Sequence, residues 1–149
     1  MISDEIKQYI DKSVLCWLAT VDGEQMPNVS PKEVFTYYDN STVIIANIAS
    51  PQSAKNIAVN PLVCLSFIDI LVQKGYQLKG TAIIVSRKSD EFGVLEKPLL
   101  DITQGRFPFT TIIKMTVTQS KKIVAPRYWL YPETTESDQM ASAIKTYGF

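Results

Sequence analysis

The chain contains no histidine. That absence excludes a His-dependent catalytic triad, a His-ligated zinc centre and an imidazole general base. Cysteine is almost as scarce: Cys16 and Cys64 are the only two, too few for a structural zinc site. Each lies in an apolar run, Val14-Leu15-Cys16-Trp17-Leu18 and Leu62-Val63-Cys64-Leu65, where buried, reduced thiols are expected. Net charge is missing as well, with Lys+Arg 15 against Asp+Glu 15, so neither nucleic acid nor an anionic membrane is expected as the main partner. No apolar run reaches the ~20 residues of a membrane span, and the nearest, Leu62 to Val72, is broken by Asp69. Met1-Ile2-Ser3-Asp4-Glu5 is acidic where a secretion signal is basic. The expectation is a soluble, cytoplasmic protein. Asp22, Asp69 and Glu91 are scattered, and no carboxylate pair has a spacing that suggests glycosidase chemistry.

What remains is globular. The 149 residues are 46% hydrophobic and 20% charged, without repeats, low-complexity tracts or Gly/Ser linkers, and read as a single domain, 1–149. Ser3 is placed to cap a first helix, with Asp4 and Glu5 at its positive end and Ile6, Tyr9 and Ile10 on one face. Strand patterns follow at Val14–Val21, ending at the Asp22-Gly23 turn, then at Asn28–Tyr38 and Thr42–Ile48. Pro31 removes a ladder donor, which places the second of these at an edge or a bulge. Ser50-Pro51 opens a second helix that Asn60-Pro61 stops, with Ala54, Ile57 and Ala58 expected inside. Strands are expected at Leu62–Ile70, Gly75–Ser86 and Phe109–Gln119, with Ile123–Tyr131 as an extension. A third helix is expected from Ser89 to Leu95, ending near Pro98, and a last one carrying Met140, Ala141, Ile144 and Tyr147. Consecutive strands with few helices indicate an antiparallel α+β barrel or sandwich rather than a doubly wound sheet.

Several short segments carry possible chemistry, each with an ordinary structural alternative. Ser50-Pro51-Gln52-Ser53 is either a plain capped helix or a phosphate site, because a first turn has unpaired N–H groups and no acidic side chain here competes. Ser30-Pro31-Lys32-Glu33 is a polar interruption of an apolar strand, either a bulged edge with solvated charges or a place where Ser30 and Lys32 face a ligand. Gln77 and Lys79 share one strand face. Tyr128, Trp129 and Tyr131 beside Arg127 either stack on a flat ring or pack in an interface.

Taken in order, Leu18-Ala19-Thr20-Val21-Asp22-Gly23, Pro27-Asn28-Val29-Ser30-Pro31, Lys55-Asn56-Ile57 with Asn60-Pro61, and Gly75-Tyr76-Gln77-Leu78-Lys79-Gly80-Thr81-Ala82 resemble the pyridoxamine 5′-phosphate oxidase-like FMN-binding split barrels, particularly the short flavin-nucleotide-binding members. The resemblance covers roughly residues 5 to 120. It implies an α+β, mainly β fold: a six-stranded antiparallel split β-barrel with flanking short helices, forming a homodimer with FMN at the subunit interface. It places Ser30, Pro31 and Lys32 along the flavin, Asn47, Ile48 and Ala49 beside the isoalloxazine, Ser50, Gln52 and Ser53 at the phosphate, and Lys79 at ring or phosphate. Arg127 and Trp129 are the expected interface wall of the cofactor. Relatives often carry Arg-Lys or Lys-Thr at the phosphate helix. Here Gln52-Ser53 stands instead, leaving Lys32 or Lys55 to supply charge. The implied activity is FMN-dependent hydride or electron transfer of the NAD(P)H-linked reductase type with a small-molecule donor and acceptor. The alternatives are a non-catalytic flavin binder or sensor, or a deazaflavin or haem binder. The chain is short of the Arg/His-bearing C-terminal region that true pyridoxamine phosphate oxidases use for substrate.

Overall fold

The Ser3 hydroxyl accepts the Ile6 amide at 3.2 Å and opens helix α1, Asp4–Lys12, in the computed structural model, which describes residues 1–149. The helix buries Ile6, Tyr9 and Ile10, the face its spacing predicts. Strands β1 (Cys16–Val21) and β2 (Pro27–Lys32) pair as a hairpin, and the Asp22 carboxylate accepts the Glu24 and Met26 amides in its turn. Strands β3 (Phe35–Tyr37) and β4 (Thr42–Ala46) form a second hairpin, in which Asp39 accepts the Ser41 amide. Then come α2 (Pro51–Val59), β5 (Leu62–Asp69), β6 (Lys74–Ser86), α3 (Phe92–Thr103), β7 (Thr111–Val124), α4 (Arg127–Leu130) and α5 (Glu136–Tyr147).

All pairings are antiparallel, in the order β2-β1-β5-β6-β7-β4-β3. β2 and β3 occupy opposite edges of this sheet, yet only Glu33 and Val34 separate them in the chain. The sheet therefore curls until its edges nearly meet, which is a split barrel. Beside that seam the Ala46 amide donates to the Val34 carbonyl at 3.0 Å. The strand count is seven rather than the expected six. The stretch Asn28–Tyr38, read as one strand, is cut at Glu33–Val34, and Pro31 sits on the edge strand, one of the two places its missing donor allows.

Two apolar cores result. Inside the barrel Leu18, Leu65 and Leu78 lie side by side on β1, β5 and β6, with α1 closing over Phe67 and Tyr76. The Tyr76 hydroxyl donates to the Glu5 carboxylate, and Lys122 bridges the same carboxylate at 2.9 Å. Both contacts hold Glu5 below the ordinary carboxylate range. The second core lies under α3, where Leu95 and Leu99 cover Ile44, Ala46, Val85 and Ile112. Gly80 marks the bulge between β6 and β7, where an added Cβ would lie 1.9 Å from the Thr116 carbonyl oxygen.

Three expected elements differ. α3 runs through Pro98 to Thr103. The carbonyl that Pro98 leaves without its amide partner belongs to Val94, which is exposed and so within reach of water. β7 continues unbroken to Val124, and the remainder of Ile123–Tyr131 turns into α4 rather than a strand. α5 buries Gln139 and Ala143, leaving Met140, Ile144 and Tyr147 exposed. Cys16 is buried and Cys64 partly so, both as free thiols. No helix is long and apolar enough to cross a membrane.

Candidate functional site

The chain leaves β4 through Asn47, Ile48 and Ala49 and enters α2 at Ser50. Ala49 has φ 50, a left-handed conformation that a residue with a side chain adopts only at a cost. Pro51 takes the first helical position, no acidic residue lies in the first turn, and the Ser50 side chain makes no capping bond. These amides and the Ser50 hydroxyl are thus uncommitted to any side chain of the turn, and the dipole adds a positive end.

The inner face of α2 is largely polar: of the expected Ala54, Ile57 and Ala58, only Ile57 is fully buried. Ser53, Asn56 and Ile57 are the buried residues, whereas Ala54 is half-buried and Ala58 exposed. Gln52 Nε2 donates to Asn56 Oδ1 at 2.7 Å, and Asn56 Nδ2 donates to Thr20 Oγ1 at 3.0 Å, where Thr20 is fully buried. One step away the Ser53 and Ser30 hydroxyls lie 3.1 Å apart, and either can donate. A buried network of this kind fixes the roll of α2 on β1 and β2, because rotation would strand several polar groups at once.

Past Ser30 on the same strand face lies Lys32, 4% exposed. Its Nζ has no hydrogen-bond partner, and burial pushes its ammonium below the ordinary lysine value. The one titratable group acting on it is the Cys16 thiol, which burial drives upward and which donates to the Lys32 carbonyl at 3.4 Å. Lys32, Pro31, Glu33 and Val34 form one wall of a pocket of about 270 Å³, closed by Ala46 at the end of β4, by Ile48 just beyond it and by Phe107 from the loop after α3. Asn47 is held by its backbone amide to the Thr111 carbonyl at 3.1 Å and by Nδ2 to Thr111 Oγ1 at 3.0 Å. Its Oδ1 is buried without a donor.

The expected site residues therefore fall in three places. Ser30, Pro31, Lys32, Asn47, Ile48, Ala49, Ser50, Gln52 and Ser53 all lie on β2, on the segment joining β4 to α2 or on the first turn of that helix. Lys79 is exposed on β6, opposite Cys64 and Gln119, with β1 and β5 between it and β2. Arg127 and Trp129 sit on α4, which is anchored where the Tyr128 hydroxyl donates to the Val72 carbonyl at 2.6 Å. Glu33, Val34, Ala46 and Phe107 were not expected at a site. The aromatic of Phe107-Pro108-Phe109 was the available signal, but only the closed barrel brings it to Lys32. A second, apolar concavity of about 580 Å³ lies on the other side of the sheet, lined by Trp17, Ile68, Ile70 and Phe149 among others.

A seven-stranded split barrel with a free helix start beside its seam is the architecture of flavin-binding split barrels. The family model described as pyridoxamine 5′-phosphate oxidase matches residues 2–123, and the chain belongs to that family. No curated protein matches it. Among solved structures it is similar to HupZ of Group A Streptococcus, with 26% identity, a TM-score of 0.71, and coverage of 84% of this chain and 96% of that one. It is also similar to an FMN-binding protein from Syntrophomonas wolfei (14% identity, TM-score 0.62, 80% and 84% covered). HutZ, the haem storage protein of Vibrio cholerae, is a third (21% identity, TM-score 0.63, 83% and 94% covered). One fold thus carries different prosthetic groups.

The residues present fit FMN. The empty first turn of α2 and the paired Ser30 and Ser53 hydroxyls suit a phosphate. Lys32 Nζ lacks an acceptor and Asn47 Oδ1 lacks a donor, and a flavin ring edge offers both kinds of group. Haem fits less well, because the chain has no histidine to serve as axial ligand.

Proposed function

We infer that this protein binds FMN and acts as a flavin-dependent oxidoreductase of the NAD(P)H-linked reductase type. The observation that carries the reading is the start of α2: an unacidified first turn whose buried Ser53 hydroxyl is paired with Ser30 on the neighbouring strand. Ser50, Gln52 and Ser53 hold the phosphate, with the helix amides. Ser30, Pro31 and Lys32 line the ring from β2, and Asn47, Ile48 and Ala49 border it from the end of β4. The flavin, when bound, supplies the two-electron chemistry, and the protein supplies binding, orientation and charge near the ring. No side chain is assigned a proton-transfer role, since the chain lacks histidine and no carboxylate lines this segment except the exposed Glu33.

The working unit in this reading is a homodimer. The outer sheet face exposes Trp17 (48%), Val29 (57%) and Ile68 (37%) beside the apolar concavity, and Trp129 on α4 is 65% exposed. Patches of this kind mark interfaces. Lys79, Arg127 and Trp129 complete the flavin site from the partner subunit's side of the interface.

The test is an absorption spectrum of the purified protein, followed by titration of apoprotein with FMN and an NAD(P)H turnover assay. A bound flavin spectrum with NAD(P)H oxidation is the expected result. Tight yellow cofactor without turnover would make the protein a flavin carrier or sensor. Failure of apoprotein to bind FMN at micromolar concentration would overturn the reading.

A further inference from the structure

Phe107 is 52% exposed, although the loop that carries it is fixed on both sides. Upstream, Gln104 and Gly105 leave α3 with positive φ. The Gly105 amide donates to Thr103 Oγ1 at 3.2 Å, and the Arg106 amide to the Thr103 carbonyl at 3.0 Å. Downstream, Phe109 is buried against Phe92 in the second core, and its carbonyl accepts from Arg87 Nη2 at 3.0 Å. Pro108 narrows the backbone choices of the residue before it. The Phe107 ring thus has a defined place and little protein around it. What it faces is the pocket of about 270 Å³ beside β2. We propose that Phe107 is a flavin-contacting residue, whose ring forms the wall of this pocket against which the isoalloxazine of FMN lies. The contact presupposes the FMN binding inferred above. It adds a residue from the loop after α3 to a site otherwise built from β2 and the β4-to-α2 segment.

Three features assign the ring, rather than the tail of the nucleotide, to this pocket. Its volume of about 270 Å³ lies below the ~300–1,000 Å³ that whole drug-sized ligands occupy, so it takes one end of FMN. Its walls at Pro31, Val34, Ala46, Ile48 and Phe107 are apolar, and the Glu33 carboxylate on the same pocket repels a phosphate. Its place fits as well. Ile48 borders the pocket and Ser50 opens α2, and two residues span at most ~7 Å. The phosphate of one FMN can therefore sit on the first turn of α2 while its ring enters the pocket.

An aromatic wall also answers a shortage at the other end of the ligand. The first turn of α2, Pro51-Gln52-Ser53-Ala54, carries no basic side chain, so amides and hydroxyls hold the phosphate without an ion pair from that turn. Affinity must then come in larger part from the ring. Aromatic side chains supply it through broad apolar area and face or edge contact with a flat π-system. Because the anchors at Thr103 and Phe109 hold the loop before the ligand arrives, little ordering cost falls on binding.

Titration of the apoprotein with FMN, and with riboflavin, which lacks the phosphate, tests this in Phe107→Ala, Phe107→Leu and Phe107→Tyr. Phe107→Ala is expected to weaken both flavins by the same factor, about tenfold, because the lost contact is to the ring they share. Phe107→Tyr keeps the ring and should bind as the wild type does, with Phe107→Leu between the two. Thermal unfolding of the apoprotein should be unchanged across the series, since the side chain is half exposed and a role in the fold alone would move it. Ser53→Ala, at the other end of the ligand, should weaken FMN and leave riboflavin unchanged. Failure of the wild type to bind FMN would overturn the FMN reading and this contact with it. Normal binding by the wild type with unchanged FMN affinity in Phe107→Ala would overturn the contact alone. So would a loss in Phe107→Ala confined to FMN, which would put the residue at the phosphate.

Discussion

The hydroxyls of Ser30 and Ser53 lie 3.1 Å apart, and this contact joins the edge strand of the barrel to the first turn of α2. Ser53 is 1% exposed and Ser30 partly buried; one hydroxyl donates to the other, which leaves the accepting hydroxyl's own proton free to point at an incoming oxygen. Ser53→Ala is expected to weaken FMN binding by about 1 kcal/mol, the net worth of one hydrogen bond. Ser53→Asp should weaken it much more, since like charges at ~4 Å and an effective dielectric near 20 repel by roughly 4 kcal/mol before relaxation. Quenching of flavin fluorescence gives the affinities, and circular dichroism shows that each variant is folded. Unchanged affinity in both folded variants would move the phosphate away from α2.

Asn56 is the hub of the polar face. It accepts from Gln52 and donates to the buried Thr20, and it is itself 2% exposed. Asn56→Ala leaves Thr20 with an unpaired oxygen in a dry site, which should destabilise the fold by about 1–3 kcal/mol. Thr20→Val in the same background should return part of that loss, because both partners are then gone. Urea unfolding of the two single variants and the double variant measures the coupling. Strictly additive losses would show that the bond contributes nothing.

The sign of the Lys32 effect on stability can be worked out from its surroundings. Its value in the folded chain is depressed by burial, whereas the unfolded chain has the ordinary one, about 10.4. Between the two values the unfolded state binds more protons, so this residue makes stability rise with pH toward that ordinary value. Below the folded value the full penalty is present. Lys32→Met should therefore be more stable than the wild type near neutrality, and the advantage should shrink at alkaline pH. Paired urea titrations near pH 7 and pH 10 test both statements, and a variant less stable than wild type at neutral pH would contradict them.

Much of this molecule can be read along the chain where local physics decides. The Ser3 cap, the Ile6-Tyr9-Ile10 face, the Ser50-Pro51 helix start and the edge position of Pro31 all depend on neighbours within a few residues, and all are present. What depends on distant partners is harder to read. Apolar spacing favours Ala54 and Ala58 for the inner face of α2, whereas Ser53 and Asn56 go inside because Ser30 and Thr20 await them on other strands. α3 passes Pro98, whose freed carbonyl belongs to the exposed Val94 one turn earlier. The pocket at Lys32 needs Phe107, which no pattern links to β2, and the unpaired state of the amine appears only once every neighbour is placed.

Trp17 stands on the outer face of β1, opposite Pro31 and Ser66, and lines the apolar concavity with Ile68 and Ile70. Trp17→Glu places a charge there without touching the barrel interior. Sedimentation equilibrium should show the wild type as a dimer at micromolar concentration and this variant as a monomer with an unchanged thermal transition of secondary structure. The double substitution Arg127→Ala with Trp129→Ala should reduce both dimerisation and retained flavin. A wild-type chain that is monomeric while loaded with FMN would sink the dimer.

The ladder order has a kinetic consequence. β5, β6 and β7 pair in chain order, and β1–β2 and β3–β4 are each local hairpins, but the seams β1–β5 and β4–β7 join segments far apart in sequence. Closing long loops is entropically expensive before contacts compensate. The β5-β6-β7 meander is therefore expected to form early and act as a template, onto which the two hairpins dock from opposite sides. β2 and β4, which line the Lys32 pocket through Pro31, Lys32 and Ala46, belong to the hairpins that dock onto this template, so the pocket wall is also the folding front. Pulse-labelled hydrogen exchange during refolding should show amides of β6 and β7 protected before those of β2 and β3, and the reverse order would refute this route.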